Sequence, residues 1–186
     1  MAAIDVANAD DPNRWNGEPL AMAQGRIAHA WIMRLEPGAS DAVQLAARAH
    51  HLRRWMVPRT SYPEGRQGYL RWRRDQKRRH ADELREILRT AGVDAETVDR
   101  AAVVVAKQGL GSDAEVQLFE DAVCLTFVET QFHSTADRLE PELMVDVVAK
   151  TLAKMSEAGR AAALQLELDE RATSIVTAAL ARLAAG

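Results

Sequence analysis

Cysteine is scarce in this chain of 186 residues, since Cys124 is the only one. An intrachain disulfide is therefore excluded, and a reducing compartment such as the cytoplasm is the expected location. Long apolar runs are also missing, so the sequence predicts no membrane-spanning helix and no membrane partner. The first fifteen residues, MAAIDVANADDPNRW, are acidic and lack an apolar core. We therefore expect no secretory signal.

Alternation of apolar and polar residues, the pattern of strands, is missing as well. Apolar residues instead recur at spacings of three and four, as they do on one face of a helix. The sequence therefore predicts an all-α fold without strands. A mass of 20.5 kDa fits one domain with a core that needs neither disulfides nor structural metals. We expect residues 1–186 to form that single domain.

Capping and helix-breaking residues set the predicted helix bounds. Ser40, Asp94 and Asp113 mark helix starts, and Pro141 suits a first helical turn. The stretch VPRTSYPEGRQGYL, with two prolines and two glycines, predicts one long loop. The predicted helices span about 20–35, 40–56, 70–90, 95–108 and 113–133, followed by two or three more from 141 onward.

Positive charge is concentrated in one segment, residues 48–79. That segment has eleven basic residues and two acids, a balance of +9, so the remainder carries −12 of the total −3. Ten of the eleven are arginines, whose guanidinium groups match phosphate oxygens in pairs. Four aromatic side chains lie among them. The segment is either a binding surface for an anionic phosphorylated ligand or a solvated helix face balanced by acids elsewhere.

Histidines are few, but four of the five are expected to point inward: His29, His50, His51 and His80. A core has little reason to collect imidazoles, whereas several imidazoles together suit a transition metal. His50 and His51 stand side by side in AARAHHLRRW, which is predicted to be the buried part of the second helix.

Two carboxylates lie in an apolar stretch of the fifth predicted helix, VQLFEDAVCLTFVE. Apolar residues surround Glu120 and Asp121 on most of the helix circumference, so at least one of them should be buried. A buried carboxylate needs a partner to remain charged. The sequence leaves two partners open, a metal ion or an arginine.

Four features in this order resemble the HD-domain metal-dependent phosphohydrolases over about residues 25–130, namely His29 in the first predicted helix and three later segments. AARAHHLRRW resembles that family's AALLHDIGR stretch, and HADELREILRTAGVDAETVDRAAVVVAKQ is similar to a later histidine-led segment. AEVQLFEDAVCLTFVE is similar to its A.ILQDADRLD. The resemblance implies an HD-like helical bundle at about 18–134 with C-terminal helices at about 140–186. The whole chain also resembles an uncharacterised domain family of bacteria and fungi.

The resemblance implies a metal site. His29, His50 and Asp121 match the family's metal ligands. His51 replaces the usual aspartate, and histidine can ligate one ion but bridges two poorly. The implied cofactor is therefore a single divalent transition metal, namely manganese, iron, cobalt, nickel or zinc.

Catalytic and phosphate-binding roles follow from the same resemblance and from the charge pattern. Lys107 stands where some members carry a histidine and would hold phosphate, while His80 or Glu120 would transfer a proton. The residues predicted to contact phosphate are basic side chains of the 48–79 segment: Arg53, Arg54, Arg59, Arg66, Arg74 and Lys77.

Three functions are compatible with these patterns. The first is a metal-dependent phosphohydrolase acting on a small phosphorylated or nucleotide-like substrate. The second is a non-catalytic nucleotide-binding or RNA-binding protein that uses segment 48–79. The third, an HD-type iron oxygenase, is disfavoured because the doublet lacks the bridging aspartate. The sequence leaves the oligomeric state open, with a homo-oligomer among the options.

Overall fold

A computed structural model describes residues 1–184, and most of them are helical, which confirms the predicted all-α fold. Two short 3-10 helices, Arg54–Met56 and Arg59–Ser61, separate the third and fourth α-helices. The α-helices are α1 Ala2–Asn8, α2 Leu20–Leu35, α3 Asp41–Arg48, α4 Gly65–Thr90, α5 Ala95–Val105, α6 Ala114–Thr130, α7 Phe132–Ala136, α8 Pro141–Leu152, α9 Glu157–Leu164 and α10 Glu170–Ala184.

A small hairpin precedes α2, so the prediction of a chain without strands was wrong at this point. Strand β1, Arg14–Trp15, pairs antiparallel with β2, Glu18–Pro19. The turn between them is Asn16-Gly17, with φ angles of 49° and 83°. Asparagine and glycine tolerate positive φ, which a two-residue hairpin turn requires. Each strand is only two residues long and is too short to show alternation.

Helix α3 ends at Arg48, eight residues before the predicted end near Met56. The chain turns next, and Arg53 has a φ of 45°, which does not continue a right-handed helix. The backbone N–H of Arg53 donates to Asn8 Oδ1 at 2.9 Å, and Arg48 pairs with Asp5. Contacts with α1, which the sequence analysis did not predict, therefore hold this turn. His50 and His51 lie in the turn and not in a helix.

The predicted long loop is shorter in the structure, because α4 begins at Gly65 and leaves residues 57–64 as the connection. Arg59 donates hydrogen bonds to the carbonyl oxygens of Tyr62, Pro63 and Gly65, which close this loop on itself. A Cβ atom at Gly68 would lie 1.8 Å from the Pro63 carbonyl oxygen. Glycine at this position therefore lets the loop pack directly on α4.

Helix starts agree well with the predicted caps. Ser40, Asp94 and Asp113 each accept a hydrogen bond from a backbone N–H of the following turn. Pro141 begins α8, as predicted. Helix ends agree less well, since α6 ends at Thr130 and the short α7 follows it.

Helix α6 lies at the centre of the bundle, where it packs against α2, α3, α5 and α9. Helix α4 packs on α5, and α8 packs on α10. Phe119 and Leu125 of α6 are fully buried, as are the carboxylates of Glu120 and Asp121, each 3% exposed. Within residues 1–184, no helix combines the length and the apolar character needed to cross a membrane.

Candidate functional site

A cavity of about 820 Å³ lies between the turn after α3, helix α4, helix α6 and the C-terminal part of α8. Phe119, Val123 and Phe127 of α6 form an apolar floor. The histidines of the turn and of α4 also line the cavity, and so does the C-terminal end of α8. The cavity therefore combines an apolar floor with polar walls, as ligand sites usually do.

Cationic side chains dominate the walls of this cavity. Six of them line it, against the single carboxylate of Glu120. Residues far apart in the sequence supply them, and Lys150 and Lys154 are exposed at its rim. The resulting field favours an anion. The six cations are Arg54, Arg73, Lys77, Lys107, Lys150 and Lys154.

The guanidinium of Arg54 is partly buried and has no carboxylate partner within residues 1–184. It lies over the ring of Trp72, 4.4 Å from the ring centroid. Burial is the main cause that lowers the pKa of Arg54 to about 10, and the nearby Arg73 contributes to the same lowering. A guanidinium that loses hydration without gaining a counter-ion is a site for an anionic ligand.

Glu120 and Lys107 form a buried ion pair inside the cavity. Burial alone would raise the pKa of Glu120, but the ammonium groups of Lys107, Lys154 and Lys77 outweigh that effect and lower it. Lys107 has a φ of 57°, in the left-handed region that lysine rarely adopts. Such backbone strain is common where a side chain is held for function.

Three imidazoles line the cavity. The rings of His50 and His51 stack with centroids 3.7 Å apart, and His80 lies 6.4 Å from His51. His51 Nδ1 bonds Gln24 Oε1 at 2.6 Å, whereas His50 Nδ1 and His80 Nε2 are buried without a hydrogen-bond partner in the described chain. Burial, and then nearby cations, lower the pKa of all three, that of His80 to about 3. All three are therefore neutral at pH 7.

Asp121 faces away from the cavity, toward the start of α9. Its Oδ1 accepts from the backbone N–H of Ser156 at 2.8 Å and its Oδ2 accepts from the Ser156 hydroxyl at 2.5 Å. Gln117 Nε2 donates to Oδ1 as well, at 3.1 Å. A Cβ atom at Gly159 would lie 2.6 Å from the Asp121 carboxyl carbon. The carboxylate is thus enclosed by protein donors.

His29 also lies apart from the cavity, on α2, where its Nε2 is 3.2 Å from Gln44 Oε1. The structure therefore brings His50 and His51 together but places His29 and Asp121 elsewhere. Between residues 1 and 184, no three His, Cys, Asp or Glu side chains are arranged to hold a metal ion. The predicted metal ligands do not fit a common metal site in this structure.

The predicted catalytic residues, in contrast, converge. His80, Glu120 and Lys107 all line the cavity. Cys124 lines it too, but burial, and then Glu120, raise the pKa of the thiol to about 12. Cys124 is therefore protonated at neutral pH and is a poor nucleophile.

Only two of the six residues predicted to bind phosphate line the cavity. Arg54 and Lys77 line the cavity, whereas Arg59 closes the 57–64 loop and Arg74 is paired with Asp75 at the surface. Arg53 donates to the Ala7 carbonyl oxygen. Arg66 is exposed on α4 and does not line the cavity.

Sequence reasoning missed three cationic residues of the cavity, Arg73, Lys150 and Lys154. Arg73 belongs to the basic segment, and its position on α4, four residues before Lys77, was an available signal. Lys150 and Lys154 lie more than seventy residues further along the chain. Only the folded arrangement of α8 against α4 and α6 brings them to the cavity.

Comparison with known proteins gives a family but no activity. No curated protein and no solved structure matches the chain. Nothing found supports membership of the HD-domain superfamily. A family model described as a domain of unknown function, DUF4202, matches residues 1–176. The chain therefore belongs to this uncharacterised domain family, DUF4202.

Proposed function

We propose that the protein binds a small phosphorylated or nucleotide-like molecule in the cationic cavity, and that phosphoester hydrolysis is the reaction to test there. One observation carries the proposal: six cationic side chains face a single cavity that contains one carboxylate. A phosphoester supplies the negative charge that this cavity lacks.

Arg54 gives the strongest support among the six. Its guanidinium is partly buried, lies over Trp72 and has no carboxylate partner within residues 1–184. A charge in such a position costs free energy in the absence of a ligand. A phosphate group would supply the missing counter-ion and accept two of its hydrogen bonds.

The uncharged histidines add groups that can handle protons. Within residues 1–184, His50 Nδ1 and His80 Nε2 have no hydrogen-bond partner, so each can accept a hydrogen bond from a ligand hydroxyl or water, or donate one, depending on its tautomer. Burial holds the pKa of His80 at about 3, and the negative charge of a bound phosphate would raise it, so that His80 could then take a proton from a nucleophile. Lys107, which is paired with Glu120, supplies a positive charge close by.

Metal dependence stays a prediction. An HD-type site would need His29, His50 and Asp121 at one point, and the structure separates them. Two unpartnered imidazole nitrogens are the available ligands in the cavity. Anion binding in the cavity needs only residues of the chain and does not depend on a metal.

Calorimetric titration with ribose 5-phosphate tests the proposed anion site. We expect Arg54→Met to weaken binding at least tenfold, in keeping with loss of a charge-assisted hydrogen bond of roughly 1.5–3 kcal/mol. Arg71→Met is the matched control, because Arg71 belongs to the same basic segment but lies outside the cavity. Absence of binding to the wild-type protein, or equal binding by the two variants, would contradict the proposal.

Elemental analysis of protein purified without a histidine tag or chelator tests the metal. Near-stoichiometric manganese, iron, cobalt, nickel or zinc that is lost in His50→Ala, but kept in a variant of the exposed His133, would support metal-dependent hydrolysis. The metal found would then be used to screen phosphoesters. A wild-type protein that takes up none of the five metals would overturn the metal prediction and leave anion binding in place.

Nucleic-acid binding is the second candidate function, and the exposed face of α4 favours it. Arg74 and Arg78 are about three-quarters exposed, and their nearest carboxylate is that of Asp75. Such a surface would contact several phosphates of one strand. The affinity for single-stranded RNA would then fall steeply with added salt, with a slope near −0.7 per phosphate contact if RNA resembles other single strands. A single small ligand in the cavity would give a shallower dependence.

A further inference from the structure

A second cavity, of about 870 Å³, adjoins the first. It lies between the N-terminal hairpin, the 3-10 segment after α3, the start of α2 and the C-terminal end of α6. Three residues line both cavities: His51, Arg54 and Gln131. The two cavities are therefore neighbours that share one wall.

Tryptophan is concentrated in the second cavity. The chain has four tryptophans, and three of them line this cavity: Trp15, Trp55 and Trp72. The fourth, Trp31, is buried in the core with its indole N–H donated to Glu129. Three separate elements supply the cavity tryptophans, namely β1, the first 3-10 helix and α4. Helix periodicity alone would not place them together.

Tryptophan side chains provide flat apolar surfaces on which an aromatic ring can stack. Every nucleobase has such a ring, and stacking on aromatic side chains strengthens base binding by roughly 5-fold to 150-fold. The first cavity has the larger excess of positive charge, with six cations and one carboxylate, whereas the second is lined by four arginines and two aspartates beside its tryptophans. The two cavities thus suit the two halves of one molecule.

We propose that the second cavity is an aromatic subsite, which holds the base of a nucleotide whose phosphate lies in the first cavity. This inference rests on the proposed function and specifies its ligand as a nucleotide. The stacking surfaces of the subsite are the partly exposed rings of Trp15 and Trp55, whereas Trp72 is only 9% exposed and its ring carries the Arg54 guanidinium.

Arg54 stands where the two halves of such a ligand would meet. It lines both cavities, and its guanidinium lies over the Trp72 ring. A phosphate bound to Arg54 therefore lies next to the aromatic subsite. One nucleotide could then occupy both cavities, because they share the wall that contains Arg54.

The test compares three probes: ribose 5-phosphate, which has no base, and AMP and UMP, which have one. We expect the wild-type protein to bind at least one of the two nucleotides five times or more as tightly as ribose 5-phosphate. Quenching of tryptophan fluorescence by that nucleotide, but not by ribose 5-phosphate, is the expected spectroscopic result.

Variants of Trp55 test whether the tighter binding of the nucleotide depends on the aromatic subsite. Trp55→Leu should bind the nucleotide no more tightly than ribose 5-phosphate, while its affinity for ribose 5-phosphate stays within about twofold of the wild-type value. Trp55→Phe should keep part of the tighter nucleotide binding, because phenylalanine retains an aromatic ring. Met56→Ala is the control, because Met56 is in the same 3-10 helix, is exposed and lines neither cavity. Thermal melting of each variant checks that it is folded.

The possible failures are distinguishable. Binding of ribose 5-phosphate that depends on Arg54, with no gain from either base, would overturn the aromatic subsite and leave the proposed function standing. A nucleotide advantage that survives in Trp55→Leu would also overturn the assignment of the base to these tryptophans. No binding of any of the three probes would overturn both proposals.

Discussion

Glu120 and Asp121 are neighbours on α6, equally buried, and they face two different regions of the molecule. Successive residues of a helix point about 100° apart, so the two carboxylates project in different directions. Asp121 enters the interface between α6 and α9, where Ser156 and Gln117 donate to it. Glu120 enters the cavity, where cationic side chains surround it.

The two regions differ in how completely their polar groups are satisfied. At the α6–α9 interface, donors of the chain surround the carboxylate, and Gly159 leaves room for it. In the cavity, by contrast, His50 Nδ1 and His80 Nε2 have no partner in the described chain. A buried polar group whose hydrogen bonds are all made within the chain is typical of a structural role, whereas buried polar groups without a hydrogen-bond partner indicate a ligand. The comparison therefore assigns stability to the interface and binding to the cavity.

The largest effect on stability is expected at the interface. Asp121→Ala would remove the acceptor of the Ser156 and Gln117 donors and leave these partly buried donors unpaired. We expect a loss of about 3 kcal/mol in the free energy of unfolding, since bonds to a charged group are among the stronger ones. Urea denaturation measures it. Asp82→Ala, at a largely exposed carboxylate, is the control. A loss near zero would show that Asp121 is not structural.

The pH dependence of stability is expected to come in part from the cavity. Burial, with Arg54 and Arg79, lowers the pKa of His80 from its ordinary value of 6.5 to about 3. At a pH between these two pKa values, His80 binds a proton in the unfolded chain but not in the folded chain. The free energy of unfolding therefore decreases as the pH falls below about 6.5. Lowering the pH from about 7.5 to about 5.5 should cost about 1.4 kcal/mol from His80 alone.

The matched variant isolates that contribution. His80→Leu should show a smaller decrease in the free energy of unfolding between the two pH values, by about the same 1.4 kcal/mol. His50 and His51, whose pKa values are also lowered by burial, should account for a further decrease in both proteins. An identical pH dependence in wild type and variant would mean that His80 is not held neutral by its surroundings.

Local signals predicted the fold well where a single residue decides the local structure. The caps Ser40, Asp94 and Asp113 and the initial Pro141 stand where predicted. The hairpin turn Asn16-Gly17 carried an equally strong signal, but flanking strands of two residues gave no pattern to support it. Short elements show too little periodicity to be recognised.

The candidate site was predictable only in part, because contacts between distant elements decide it. Helical periodicity could not show that α3 ends at Arg48, since contacts from α1 hold the following turn. Nor could it decide which of Glu120 and Asp121 faces the cavity, because apolar residues surround both on α6. The apolar pattern predicted burial correctly. The direction of each carboxylate depends on where α8 and α9 pack.

The smallest expected effect is that of Glu120 on the affinity of the cavity for an anion. Glu120 competes with any bound anion for Lys107, because the two are already paired. Glu120→Gln removes that competing charge while nearly keeping the side-chain shape, so ribose 5-phosphate should bind about fivefold more tightly, about 1 kcal/mol. Glu86→Gln, at an exposed position of α4, should leave binding unchanged. Weaker binding by Glu120→Gln would show instead that the carboxylate orients Lys107 toward the ligand, in which case Glu120 would be a positioning residue.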